Sequence, residues 1–161
     1  MRYYGFGNYY LSSIQQGIQN LHVVSDISVK YEDMSEENES YKEWALYHKT
    51  VVLCNGGNAE SINTLYAFLE ELEKEGMDLP YSLFKEDGPS LSGAVTAVGV
   101  IVYTRHYMYD KVYFGENKED IYNNLMSEKD ELLYFSKGLE LGYKNWELKL
   151  MKEIKKYKLA N

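Results

Sequence analysis

Leu11-Ser-Ser-Ile-Gln-Gln-Gly-Ile-Gln-Asn-Leu-His-Val-Val24 follows a Tyr-rich opening, Arg2 to Tyr10, and the two together read as a strand feeding a helix. Ile14, Ile18, Leu21 and Val24 recur at three- and four-residue steps, which predicts a core-facing stripe on a helix over 12–30. Gln15, Gln19, His22 and Asp26 follow the same steps on another face and gather two amides, an imidazole and a carboxylate in one column. Ser12 is placed to cap the first turn, with Gln15 three residues on as its capping-box partner. A polar but largely uncharged column on a first helix points to a site or to a hydrogen-bonded interface.

Working outward, residues 2–10 alternate as a first strand. The acidic run from Glu32 to Glu43 reads as a solvated loop feeding a short helix, Tyr41 to His48, with Trp44 and Tyr47 or His48 turned inward. Thr50–Cys54 reads as a buried strand. After Asn55-Gly56-Gly57-Asn58 a helix runs to about Lys74 with Ile62, Leu65, Phe68, Leu69 and Leu72 inward, and Gly76 closes it as a C-terminal cap. Leu83 marks a third strand and Val95–Tyr103 a fourth. Strands alternating with helices predict an α/β fold, a mixed four-stranded sheet flanked by helices. Residues 105–116, Tyr-rich and carrying Asp110 and Gly115, read as a hairpin or loop arm. Residues 118–137 and 139–158 read as helices separated near Gly138, the second with Trp146, Leu150, Ile154 and Tyr157 on one stripe. The boundary between an α/β domain, 1–104, and a C-terminal helical extension, 105–161, falls after the fourth strand.

At 161 residues the chain is long enough to bury a real core. Its single cysteine, Cys54, excludes an internal disulfide and sits in an apolar run, so it reads as core in a reducing, cytoplasmic setting. The longest apolar run, Ala94–Tyr103, is too short and too β-branched to span a membrane, and no basic-then-apolar leader is present. Charge is segregated. Six lysines (144, 149, 152, 155, 156, 158) against Glu147 and Glu153 give the tail +4, so with a total of −8 the remainder carries −12. Such a body repels a polyanion and argues against tRNA as a partner.

Several residues could carry chemistry. A strand, then Asn55-Gly56-Gly57-Asn58, then a helix is a geometry in which backbone N–H groups can hold an anion, or simply a tight turn. No Lys-Ser/Thr follows, which argues against Walker-type nucleotide hydrolysis. His22, His48 and His106 lack metal-ligand spacing, so neither a metal nor a cofactor is expected. Seventeen tyrosines suit nucleobase stacking and equally suit interface packing.

The opening stretch and a second segment, Phe84-Lys-Glu-Asp-Gly-Pro-Ser-Leu-Ser-Gly-Ala-Val-Thr-Ala-Val-Gly-Val100, together resemble the type II peptidyl-tRNA hydrolases over about residues 2–104. Gln19 and His22 fall on the Gln and His of an Ala-Gln-x-x-His-like signature. Asp87 (or Glu86) falls on the family's acidic loop, Ser90 near a family Thr, and Thr96 on the Thr of the final strand. The resemblance implies that the first helix, the Asn55–Asn58 loop and the Asp87–Thr96 segment meet at one sheet edge. If the chain were an enzyme, Asp87, Thr96 and His22 would be its catalytic residues. The family's catalytic lysine, however, is here Gln15, which brings no charge to an ester or oxyanion. The expectation is therefore a non-catalytic protein that holds or sequesters a small nucleotide-like anionic ligand, as phage-type signal sponges do. Gln15, Gln19, His22, Asn55, Gly56, Gly57 and Thr96 would line the site. An active peptidyl-tRNA or related ester hydrolase and a partner-binding module are the alternatives. The Trp146 stripe and the Tyr-rich arm lean toward a homodimer or higher homo-oligomer.

Overall fold

The computed structural model describes residues 1–32, 35–87, 93–114 and 128–160, with the backbone alone for 35–36, 110–114 and 128–130. Strands β1 (Arg2–Gly7), β2 (Val51–Asn55), β3 (Tyr81–Lys85) and β4 (Val95–Val102) form one mixed sheet in the order β2-β1-β4-β3. β1 pairs parallel with β2 and antiparallel with β4, and β4 pairs antiparallel with β3. Three strands therefore run one way and β4 runs against them. The expected α/β class with a four-stranded mixed sheet is what the chain adopts. Helices α1 (Ser13–Lys30) and α3 (Ala59–Lys74) both pack on β4, whose eight residues are all buried.

Local signals explain the helix ends. Ser12 and Gln15 form the expected capping box, with Ser12 Oγ accepting from Gln15 N–H and Gln15 Oε1 accepting from Ser12 N–H. At the end of α3, Gly76 adopts φ +96°. Met77 N–H reaches Leu72 O at 2.9 Å and Gly76 N–H reaches Glu73 O at 3.0 Å, the paired bonds of a Schellman cap. Ile62, Leu65, Leu69 and Leu72 are buried along α3, as their spacing predicts, while Phe68 is half-buried.

The faces of α1 are the principal correction. Ile14, Ile18 and Leu21 are 77%, 47% and 68% exposed, and the buried residues are Gln16, Asn20, Val23 and Ile27. The sheet explains the inversion. A Cβ on Gly5 would lie 2.0 Å from Asn20 Oδ1, and one on Gly99 would lie 2.2 Å from the Tyr3 hydroxyl oxygen. α1 thus sits close over Gly5 and Gly7 of β1, with the Tyr3 ring laid over Gly99 beside it. It is fixed there by hydrogen bonds: Tyr3 Oη–H donates to Asn20 Oδ1 at 2.8 Å, and Asn20 Nδ2 donates to Gln16 O at 2.8 Å. Asn20 fits this seat because both polar atoms of its amide find partners, whereas the buried Gln16 Oε1 has none among the described residues.

Elsewhere the acidic run is more regular than expected. α2 spans Ser35–Glu43 and continues into a π-helical turn, Trp44–His48. Trp44 is buried, with its indole N–H on Thr50 O at 3.0 Å, whereas Tyr47 and His48 are exposed. β2 is an edge strand rather than a fully buried one, and Val51 is half exposed.

The chain divides into two compact units, Met1–Val102 with Lys156–Asn161, and Tyr103–Lys155. The segment 156–158, expected to continue the last helix, instead returns with the tail to the first unit. Asn55 N–H donates to Lys158 O, Ala160 N–H donates to Leu53 O, and Leu159 bridges Cys54 in antiparallel fashion. Tyr157 packs edge-on against Phe6 at 4.8 Å.

In the second unit, Thr104–Phe114 is a helix (α4), not a hairpin or loop, followed by α5 (Glu128–Glu140) and α6 (Asn145–Ile154). His106 and Tyr109, three residues apart, are both buried, so the aromatic spacing was helical. Gly138 lies inside α5, and the break falls at Leu141–Lys144. Tyr109, Tyr134, Leu148 and Met151 form the unit's core. Trp146 and Leu150 are buried, while Ile154 and Tyr157 are half-buried and Tyr157 lies past the helix. The Glu147 carboxylate is buried and accepts from His106 Nε2 at 2.7 Å, Arg105 at 2.9 Å and Lys144 N–H at 2.6 Å. Among the described residues, no helix is long and apolar enough to cross a membrane.

Candidate functional site

The carboxyl ends of β1, β2 and β3 lie at one end of the sheet, where β4 begins. In open α/β sheets this is the end at which ligands are held. Three chain segments supply the side chains there. α1 contributes Gln19 and His22, one turn apart. β3 and the residue beyond it contribute Phe84 and Glu86, two apart along an extended chain. β4 contributes Thr96.

These five residues form two adjacent groups, Gln19 with Glu86 and Thr96, and His22 with Phe84. Gln19 Nε2 donates to Glu86 Oε1 at 2.6 Å, and Thr96 Oγ1 donates to Gln19 Oε1 at 3.2 Å. The two partners fix the orientation of the amide, with its nitrogen toward the carboxylate and its oxygen toward the hydroxyl. His22 stacks on Phe84 with ring centroids 4.5 Å apart and planes 17° from parallel. Thr96 is buried and His22 is exposed, so the cluster runs from the sheet to the surface.

A β-bulge places Thr96. Phe84 pairs with Ala97 while Lys85 pairs with Val95, which leaves Thr96 as the extra residue. Simple alternation from Gly99, which lies under Tyr3 on the α1 side, would turn Thr96 away from α1. The inserted residue lets its hydroxyl reach Gln19, a re-aiming that bulges commonly provide. Asn8 braces the same corner. It donates N–H to Thr96 O at 2.9 Å and accepts Tyr10 N–H on its side-chain oxygen at 3.1 Å.

The other expected site residues have different employment. Gln15 is exposed and its side-chain oxygen is engaged in the capping box with Ser12. Asn55 Oδ1 accepts Gly57 N–H at 3.0 Å, and Gly56 N–H donates to Gly7 O at 2.8 Å. Gly57, at φ +82°, shapes the turn, and its carbonyl accepts Tyr9 N–H. The two glycine amides that were expected to hold an anion are therefore bonded within the protein. Asn58 caps α3 by accepting from Ser61 N–H at 2.9 Å. This loop shares the sheet end with the Gln19 cluster but lies on the far side of β1, about two strand spacings or roughly 10 Å away. Asp87 and Asp26 are exposed, and the carboxylate that reaches α1 is that of Glu86. Ser90 lies outside the described residues.

Phe84 and Asn8 were missed as site residues, and Glu86 was named only as the alternative acid. The signal for Phe84 and Glu86 was their two-residue spacing, which puts them on one side of β3 facing the Gln19–His22 turn. Cys54 is buried, and burial pushes its thiol up to about 11, which removes it from nucleophilic chemistry at neutral pH. Among the described residues, no group of three or more His, Cys, Asp or Glu could hold a metal ion. No protein-family model matches the sequence, and no curated protein is significantly similar to it.

Proposed function

We propose that this chain is a non-catalytic binding protein that holds a small nucleotide-like ligand at the Gln19–Glu86–Thr96 edge. The observation that carries the reading is the bonding of Gln19 to both Glu86 and Thr96. It fixes a polar edge beside the stacked His22 and Phe84 rings before any ligand arrives. A fixed edge selects by hydrogen bonds, because a mismatched ligand leaves buried groups unpaired. A ring platform adds stacking, worth about 1–3 kcal/mol per base. The expected grip on an anion has lost its support in Gly56 and Gly57, so recognition runs through the base rather than a phosphate.

The likeness to type II peptidyl-tRNA hydrolases remains a proposal and is supported by the sheet class and by the hydrogen bond of Thr96 to Gln19, one turn of α1 before His22. Hydrolysis has less support, since Gln15 stands at the lysine position and its side chain caps α1. Thermal shift with a panel of nucleosides and nucleotides tests the reading. A ligand at 100 times its dissociation constant should add about 2.7 kcal/mol of stability. Gln19→Ala should abolish the shift, and the ligand should leave unaltered on denaturing release. A panel with no shift, or a shift unaffected by Gln19→Ala, rejects the site.

A second reading has its own observation. Ile14, Ile18 and Leu21 form an exposed apolar row in the uncharged stretch Leu11–Ser25, a surface suited to a second copy of an acidic chain. It replaces the Trp146 stripe as the basis for a homodimer, since Trp146 and Leu150 are buried within one chain. Light scattering on wild type and Ile18→Glu decides it: a dimer that becomes monomeric in the variant supports the contact, and a monomeric wild type rejects it.

A further inference from the structure

We infer that the base read at this edge is guanine. The inference rests on the binding reading above and narrows it to one hydrogen-bonding pattern. An amide nitrogen carries two hydrogens, and among the described residues Gln19 Nε2 gives one to Glu86 Oε1 and the other to none. An ionised carboxylate accepts at about four positions, and one of those on Glu86 is filled by Gln19. Across the edge the free positions therefore run donor, acceptor, acceptor: the second Gln19 hydrogen, then the two oxygens of Glu86.

Each nucleobase presents its own sequence on its pairing edge. Guanine offers acceptor, donor, donor through O6, N1–H and N2–H, the complement of the row on the protein. Adenine offers a donor beside an acceptor, which would set its N1 lone pair against the carboxylate. Cytosine offers donor, acceptor, acceptor and would place like against like at all three positions. Uracil offers acceptor, donor, acceptor, so its third group faces an oxygen of Glu86. Two adjacent N–H donors on one carboxylate form a forked, charge-assisted pair, which is stronger than neutral hydrogen bonds.

The surroundings fit a planar, uncharged head group. Thr96 holds the Gln19 oxygen, so the amide cannot turn over and reverse the pattern without losing both bonds. His22 lies one helical turn from Gln19, about 5 Å along the axis, and presents the face of its ring that is not against Phe84. A base engaged at Glu86 can rest on that ring.

The test is calorimetric titration of the full chain with guanosine, inosine, adenosine and cytidine. Guanosine should bind about 10-fold tighter than inosine, which lacks the N2 amine, and about 100-fold tighter than adenosine or cytidine. Glu86→Gln, half-buried at the end of β3, should fold normally by circular dichroism and reduce the guanosine preference to under 3-fold. Glu39→Gln, on the exposed face of α2, should leave it unchanged. Equal binding of guanosine and adenosine that is lost in Gln19→Ala overturns the guanine assignment and keeps the binding reading. A guanosine preference that survives Glu86→Gln overturns the role of the carboxylate. No binding by any nucleoside overturns both.

Discussion

α1 and α3 pack on the same sheet by opposite rules. α3 buries Ile62, Leu65, Leu69 and Leu72, an aliphatic stripe of the kind that hydrophobic periodicity finds. α1 buries two amides with Val23 and Ile27, and shows Ile14, Ile18 and Leu21 to solvent. The difference lies in the strands beneath. Where strands offer side chains, a helix interlocks with apolar side chains of its own. Where they offer Gly5 and Gly7, the helix comes close enough for Asn20 to take the Tyr3 hydroxyl that lies over Gly99. A helix's pattern therefore names its buried face only once the floor is known.

The largest effect should come from α3. Leu69→Ala, fully buried, should cost about 2–5 kcal/mol in urea denaturation, since it leaves a cavity in an aliphatic seat. A loss under 1 kcal/mol would mean that α3 is not packed as described.

Next comes the glycine floor. Gly99→Val should cost about 3 kcal/mol through overpacking against Tyr3, and Tyr3→Phe should not rescue it, because the ring carbons collide as well as the hydroxyl. Full rescue would show that the hydroxyl alone sets the spacing.

Asn20→Ala should cost about 1–3 kcal/mol by leaving the buried Tyr3 hydroxyl only the longer bond to Asn20 O at 3.4 Å. Asn20→Leu should be no better, although it restores apolar volume. A stabilising Asn20→Leu would return α1 to the rule that governs α3.

The buried polar groups of the two units should part under acid. Asn20 does not titrate, whereas Glu147 does. Burial alone would raise the Glu147 pKa, but the hydrogen bonds from His106 and the Lys144 amide, with the charges of His106 and Arg105, outweigh it and lower the net value below 4.5. A carboxyl with a depressed folded pKa stabilises above its unfolded value and loses that contribution as pH falls through the folded value. Trp146 fluorescence, read in a Trp44→Phe background, should therefore change as pH drops below about 4.5, and Glu147→Gln should flatten that limb. An unchanged limb in the variant would exclude Glu147 as the titrating group.

The smallest effect is the most diagnostic for α1. Ile18→Ser should change monomer stability by less than about 0.5 kcal/mol, as surface substitutions do. A loss of 2 kcal/mol at a concentration where the chain is monomeric would restore the stripe to the core.

Much of the architecture was legible. Alternation and capping residues gave the strands, the Ser12–Gln15 box and the Gly76 cap, because each depends on neighbours in sequence. The inverted face of α1 was not legible, since its cause lies in Gly5 and Gly99, 94 positions apart and adjacent only in the sheet. The same limit explains the site. Gln19, His22 and Thr96 could be nominated from local motifs, and the first two share one helix turn. That Glu86 rather than Asp87 meets Gln19 depends on the register of β3 and on the bulge at Thr96. Asn55, Gly56 and Gly57 looked like an anion loop because strand, two glycines and helix do form such loops. Their amides are taken by Gly7 and by Asn55 itself, which only the paired structure reveals.

The return of Lys158–Ala160 to the edge of β2 sets an order of events during synthesis. β2 is translated early, yet the segment that pairs with its outer edge follows Tyr103–Lys155, the whole second unit. At about 5–20 residues per second, those 53 residues take roughly 3–10 s to make. For that interval Leu53 and Asn55 present unpaired backbone groups, the template on which strands of other nascent chains could add. Polysomes translating this message at high density would thus pass through a window of aggregation risk, closed only once the segment after the second unit is made.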